Sequence, residues 1–141
     1  MNASVFAAFF IAMLVGHHLG DYLLQTAWQV DHKGDDGWTG WLAAAGHATS
    51  YTAATILTTA MAGLVLDLHV TYFGFIAAQL FSGLTHLVID RRFTLLWFIT
   101  QVDRLIPGKL KYYLDGGAAF LDQMAHIFCL FIASLLAAAV I

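Results

Sequence analysis

Long apolar runs govern what this chain can become. Four stretches, from about Ser4 to Trp28, Trp41 to Leu66, Thr71 to Ile89 and Ala118 to Ile141, reach the roughly 20 residues that carry a helix across a hydrocarbon core. Only 11% of the 141 residues are charged, against roughly 25% in an ordinary soluble domain. That balance excludes a disordered tail and argues against a soluble globular fold. Six Lys plus Arg at a net charge of -3 leave no basic footprint, so lipids are the expected partner and nucleic acid is not. The single cysteine, Cys129, cannot close an internal disulfide. The first run lacks a basic leader and continues into His17, His18 and Asp21, unlike a secretory signal.

The pattern predicts an all-α integral membrane protein: one transmembrane domain over residues 1–141, folded as an antiparallel bundle of four transmembrane helices with spans of about 4–28, 41–66, 71–89 and 118–141. The turn from Asp31 to Gly37 joins the first two spans, and Asp67, Leu68 and His69 join the next two. The third connection is longer. Its segment 93–106 mixes Trp97, Phe98 and Ile99 with Gln101, Asp103 and Arg104, as an interfacial helix in the headgroup plane would. Pro107-Gly108 stops that helix. Lys33, Arg91, Arg92, Arg104, Lys109 and Lys111 all fall in the first and third connections, which predicts that side to be cytoplasmic and both termini to lie outside. Trp28, Trp38, Trp41 and Trp97 fall near the same interface and suit an aromatic belt.

Inside the runs stand residues that a bilayer penalises. Each mid-span Asp costs roughly 2.5–3.5 kcal/mol on insertion scales, so three of them need partners. His17 and Asp21, His86 and Asp90, and Asp122 and His126 each stand four apart, on one helical face, and Gln25 extends the first face by a turn. His47 adds a histidine from the second span. Counted from the cytoplasmic ends, these residues fall in the same half of the bundle. Four histidines and three aspartates can hold one metal, or two through a bridging carboxylate, and nitrogen and oxygen donors suit zinc, manganese or iron. The expected ligands are therefore His17, Asp21, His47, His86, Asp90, Asp122 and His126. Mutual hydrogen bonding would satisfy one such pair but leaves excess negative charge across three. A proton or ion pathway is the other functional reading, and in a chain this small it would need an oligomer. His18 points elsewhere on the helix, and His32 and His69 lie in turns. Arg91 and Arg92 follow Asp90 directly and either mark the cytoplasmic side or clamp a phosphate.

The segments His17 to Gln25, Gly46-His47, Ser82 to Asp90 and Leu121 to His126 resemble a small bacterial membrane family catalogued as domain of unknown function 3307. The resemblance implies a bacterial inner-membrane protein and no established activity. More loosely, the layout is similar to membrane-bound metal-dependent hydrolases, which share intramembrane His and Asp motifs. The expectation is a metal-dependent hydrolase acting on a lipid or lipid-linked phosphate at the cytoplasmic leaflet. In it one or two divalent metals activate water, Asp90 or Asp122 is the general base, and Arg91 and Arg92 bind substrate. A transporter subunit and a purely structural component are the alternatives.

Overall fold

The computed structural model describes residues 2–139, all helix and turn with no strand among them. Helix α1 runs Ala3–His18, capped by Asn2, whose side chain accepts from the Ser4 and Val5 amides. It continues as a π-helical turn, Leu19–Leu24. Three helical stretches are long and apolar enough to cross a membrane: Ala3–Leu24, Tyr72–Asp90 and Lys109–Ala139.

The first span ends at Leu24 rather than near Trp28. Gln25 turns to extended backbone, and Thr26 and Gln29 form a reciprocal capping box that starts a separate short helix, α2 (Ala27–His32). The connecting turn is correspondingly shorter, and Asp31 and His32 belong to α2. Helix α3, Gly37–Val65, covers the expected second span but starts four residues before Trp41, because Gly37 at φ 72° supplies the break that launches it. At 29 residues it is about 43 Å long. It is less apolar than the other three, being rich in threonine. Those hydroxyls are hidden by the helix itself: Thr49, Thr52, Thr58 and Thr59 each donate to the carbonyl four residues back.

Helix α4 (Tyr72–Asp90) meets α5 (Phe93–Leu105) at Arg92, which takes a left-handed φ of 54° and donates to the Val30 carbonyl at 2.9 Å. Helix α6 (Lys109–Tyr112) and a π turn (Tyr113–Gly117) lead through the left-handed Gly116 into α7 (Ala118–Ala139). Residues 140 and 141 of the expected fourth span, and Met1, lie outside the described residues. Helix α1 packs on α3 and α7, and α4 packs on the same two, which closes a ring. Small residues allow the approach: a Cβ on Gly16 would stand 2.7 Å from the Thr55 Cα. The Asn2 amide reaches the Ala138 carbonyl, so the start of α1 meets the end of α7.

The ring has an unusual radial order. Phe9, Met13, Tyr51, Ala78, Leu130 and Ala133 make an apolar core, yet histidine, aspartate, threonine and glutamine are buried beside it. Ile11, Leu42, Leu57, Leu84 and Phe128 face outward. An apolar exterior around a partly polar interior is the arrangement a bilayer stabilises.

Candidate metal centre

Every one of the seven expected ligands comes to one place. His17 and Asp21 arrive on α1 and its π turn, His47 on α3, His86 and Asp90 on the last turns of α4, and Asp122 and His126 on α7. The π turn is where α1 delivers Asp21, and such insertions recur at functional sites. Four atoms form the inner set: Nε2 of His47 and of His86, Oδ1 of Asp21 and Oδ2 of Asp90. The two nitrogens are 2.9 Å apart. Asp21 Oδ1 lies 3.3 Å from His47 and 3.5 Å from His86. Asp90 Oδ2 lies 3.3 Å and 3.4 Å from the same nitrogens.

A tetrahedral metal at about 2.0–2.1 Å from its ligands sets them roughly 3.3–3.4 Å apart. The four histidine–aspartate spacings match that shell, whereas the two nitrogens stand closer, at hydrogen-bond distance. Asp21 Oδ1 and Asp90 Oδ2 are buried without a hydrogen-bond partner, which is costly for carboxylate oxygens unless a cation meets them. The three carboxylates face one nearby ammonium, Lys33, whose Nζ is 2.9 Å from Asp90 Oδ1. One divalent ion would balance the remainder. The outward Nδ1 atoms of His17, His47 and His86 are buried and unpartnered too. Ligand imidazoles without a protein acceptor on that side hold metal less tightly, by about 10–100-fold.

His17 is a neighbour of the inner set rather than a member. Its Nε2 donates to Gln123 Oε1 at 3.1 Å, and Gln123 Nε2 donates to Asp21 Oδ2 at 3.2 Å. That bridge decides which Asp21 oxygen faces the histidines. The groups His17, Asp21, His86; His47, His86, Asp90; and Asp90, Asp122, His126 are each close enough to hold a metal ion. In the last, His126 Nε2 stands 3.6 Å from Asp90 Oδ1 and 3.7 Å from Asp122 Oδ2. Tyr51 backs the centre, its ring stacked on His86 at 3.7 Å and its hydroxyl hydrogen-bonded to Ser82 at 2.6 Å.

A cavity of about 540 Å³ opens beside this cluster, lined by Asp21, Lys33, Arg92, Tyr113, Asp122 and Gln123 among others. Of the two arginines expected to bind substrate, Arg92 is on its wall. Arg91 is used differently: it is 2% exposed, and its guanidinium donates to the carbonyls of Lys33 at 2.8 Å and Asp35 at 2.6 Å. It also lies over the Trp41 ring. Of the two aspartates expected to act as base, Asp90 is enclosed and Asp122 reaches the cavity. Lys33 and Gln123 were not among the expected site residues. Gln123 carries a signal, since it adjoins Asp122 on a span. Lys33 carries only one, the need of buried carboxylates for a cation.

An all-helical protein with membrane-length helices closed around a histidine–aspartate cluster is the class these features define. A family model described as protein of unknown function DUF3307 matches residues 9–140, and the chain belongs to that family. Neither a curated protein nor a solved structure matches it.

Proposed function

We propose that the protein is a four-span membrane hydrolase that holds a divalent metal among His47, His86, Asp21 and Asp90 and cleaves a lipid or lipid-linked phosphate. The observation that carries this reading is the inner set of four atoms, its histidine–aspartate pairs at coordination spacing, next to a cavity with cationic walls. Helix α3 is the fourth span, long enough to cross and with four of its threonine hydroxyls bonded to its own carbonyls. Helix α5 lies in the headgroup plane. Its Leu95 and Ile99 are buried against the protein, while Trp97 and Phe98 remain exposed to lipid. The basic end faces the cytoplasm of a bacterial inner membrane, with both termini outside. A reporter that works only outside the cytoplasm should be active when fused after Ile141; activity of a cytoplasm-only reporter there would reverse the orientation.

A metal held by His47, His86, Asp21 and Asp90 would take water as a fifth ligand and would lower its pKa from about 15.7 toward 7, supplying a nucleophile at neutral pH. Zinc, manganese and iron all accept these nitrogen and oxygen donors, and each would have to expand beyond four ligands to admit the water. Asp122, outside the inner set and facing the cavity, is placed to take a proton. Lys33 and Arg92 are placed to hold the phosphate, and Val30 and Leu95 offer apolar wall to the attached chain. A proton conduit is less well supported. Among the described residues, the buried polar groups beyond Tyr51 are Thr55, Gln79, Thr59 and Ser134, which do not exchange protons near neutral pH.

The test pairs elemental analysis with turnover of a lipid phosphate by protein purified in detergent. Wild type should retain metal, and Asp122→Asn should keep it while losing at least about 10²-fold in rate, the lower range for lost acid–base assistance. Wild-type protein that folds without retaining metal, or undiminished turnover in Asp122→Asn, would remove the proposal.

A further inference from the structure

Asp90 divides its two oxygens between different cations. Oδ2 faces His47 and His86 in the inner set, whereas Oδ1 faces Lys33 Nζ at 2.9 Å and His126 Nε2 at 3.6 Å. His126 is 2% exposed, and its Nε2 has no hydrogen-bond partner. With Asp122 it completes a second group of metal-ligating side chains that shares Asp90 with the first. In two-metal hydrolases a shared carboxylate of this kind joins ions about 3.5–4 Å apart. Here the ammonium of Lys33 is already against the shared oxygen.

Lys33 is not a loose surface lysine that happens to reach inward. Its carbonyl and that of Asp35 are held by the buried Arg91 guanidinium. Gly40 makes room for this clasp: a Cβ there would fall 1.9 Å from the Asp35 carbonyl oxygen and 2.2 Å from Arg91. Arg92 holds the preceding carbonyl of Val30. The Lys33 side chain is largely enclosed and lies on the cavity wall. Three separate features thus fix the backbone that delivers this one charge.

We infer that Asp90, Asp122 and His126 form a second cation position and that Lys33 fills it, a tethered ammonium in place of a second metal ion. The inference rests on the metal-centre reading above and adds what limits the count. Inside the enclosed cluster, a fixed +1 charge on Asp90 Oδ1 opposes entry of a further divalent ion. It also keeps positive charge on the cavity wall beside Arg92, where an anionic group would sit. Removing the ammonium frees Asp90 Oδ1, Asp122 and His126 together.

The experiment is metal counting on the full-length protein in detergent, after incubation with excess zinc and removal of the unbound ion. Wild type and Lys33→Arg should hold one zinc per chain. Lys33→Met should hold two, and Lys33→Met with Asp122→Asn should return to one. Lys33→Gln, which keeps a polar tip for Asp90, should also hold two and serves if Lys33→Met fails to fold. Two zinc ions in wild type, or one in both neutral variants with wild-type melting, would overturn the role of Lys33 while leaving the metal centre intact. No zinc in any of these proteins would overturn both.

Discussion

Two polar layers lie one above the other on the same helices, and they are built on opposite terms. Toward the chain's two ends, Thr55 donates to Gln79 Oε1 at 2.9 Å and Gln79 Nε2 donates to Thr59 at 2.9 Å. Tyr51 and Ser82 pair one turn nearer the basic end. Donors there meet acceptors. In the layer below, Asp21, Asp90, His47 and His86 converge, the two imidazoles share one short contact, and Asp21 Oδ1, Asp90 Oδ2 and His126 Nε2 have ion-pair neighbours but no hydrogen-bond partner. Neutral dipoles can satisfy one another in a dry interior; carboxylates and imidazole nitrogens aimed at a common point need a cation. The upper layer is a joint between helices. The lower one is a cluster close enough to hold a cation.

The sharpest way to break this contrast is Asp90→Ala. It removes one inner oxygen and leaves Lys33 buried without its partner, so metal should be lost. Stability should fall by about 3–5 kcal/mol, as for other broken buried pairs. Elemental analysis with equilibrium unfolding in mixed detergent reads both. Retained metal would show that the lower layer does not depend on Asp90.

Gly16→Ala should act on both layers at once. The new methyl meets α3 backbone at Thr55 and the Thr58 hydroxyl, which forces α1 away from α3 at a cost of about 1–3 kcal/mol. Because α1 brings Asp21, metal content should drop with stability. A melt that falls with full metal retained would mean that the two layers are mechanically separate.

Gln79→Leu should mark the other side of the comparison. Thr55 and Thr59 lose their shared partner, and membrane hydrogen bonds of this kind average about 0.6 kcal/mol. Stability should fall by about 1 kcal/mol and the metal count should not change. Metal loss in this variant would couple the joint to the cluster.

Much of the lower layer was legible in the sequence because its logic is local. His17 with Asp21, His86 with Asp90, and Asp122 with His126 stand one helical turn apart, and a span leaves them nowhere to go but inward. Length and apolarity were enough for three of the helices. What stayed hidden was tertiary. Whether Arg91 reaches a phosphate or a loop carbonyl depends on where the turn between α2 and α3 comes to rest. Lys33 reads as one more charge at the membrane edge until that turn folds back over Asp90. The upper layer was equally obscure, since Thr55 and Gln79 are 24 residues apart and carry no motif.

The wide sequence separation of the inner set also has a consequence for synthesis. Asp21 emerges from the ribosome about seventy residues ahead of Asp90, a delay of roughly 4–14 s at ordinary elongation rates. During that interval Asp21 has only His17 and His47 to meet it, while α4 and α7 are still missing. The His17–Asp21 end of α1 therefore gains the rest of its surroundings, His86 and Gln123, only when the later helices arrive. Assembly of the cluster is thus finished from the C-terminal side. A ribosome stalled before α4 should leave a nascent chain whose first helix is held less firmly than in the whole protein.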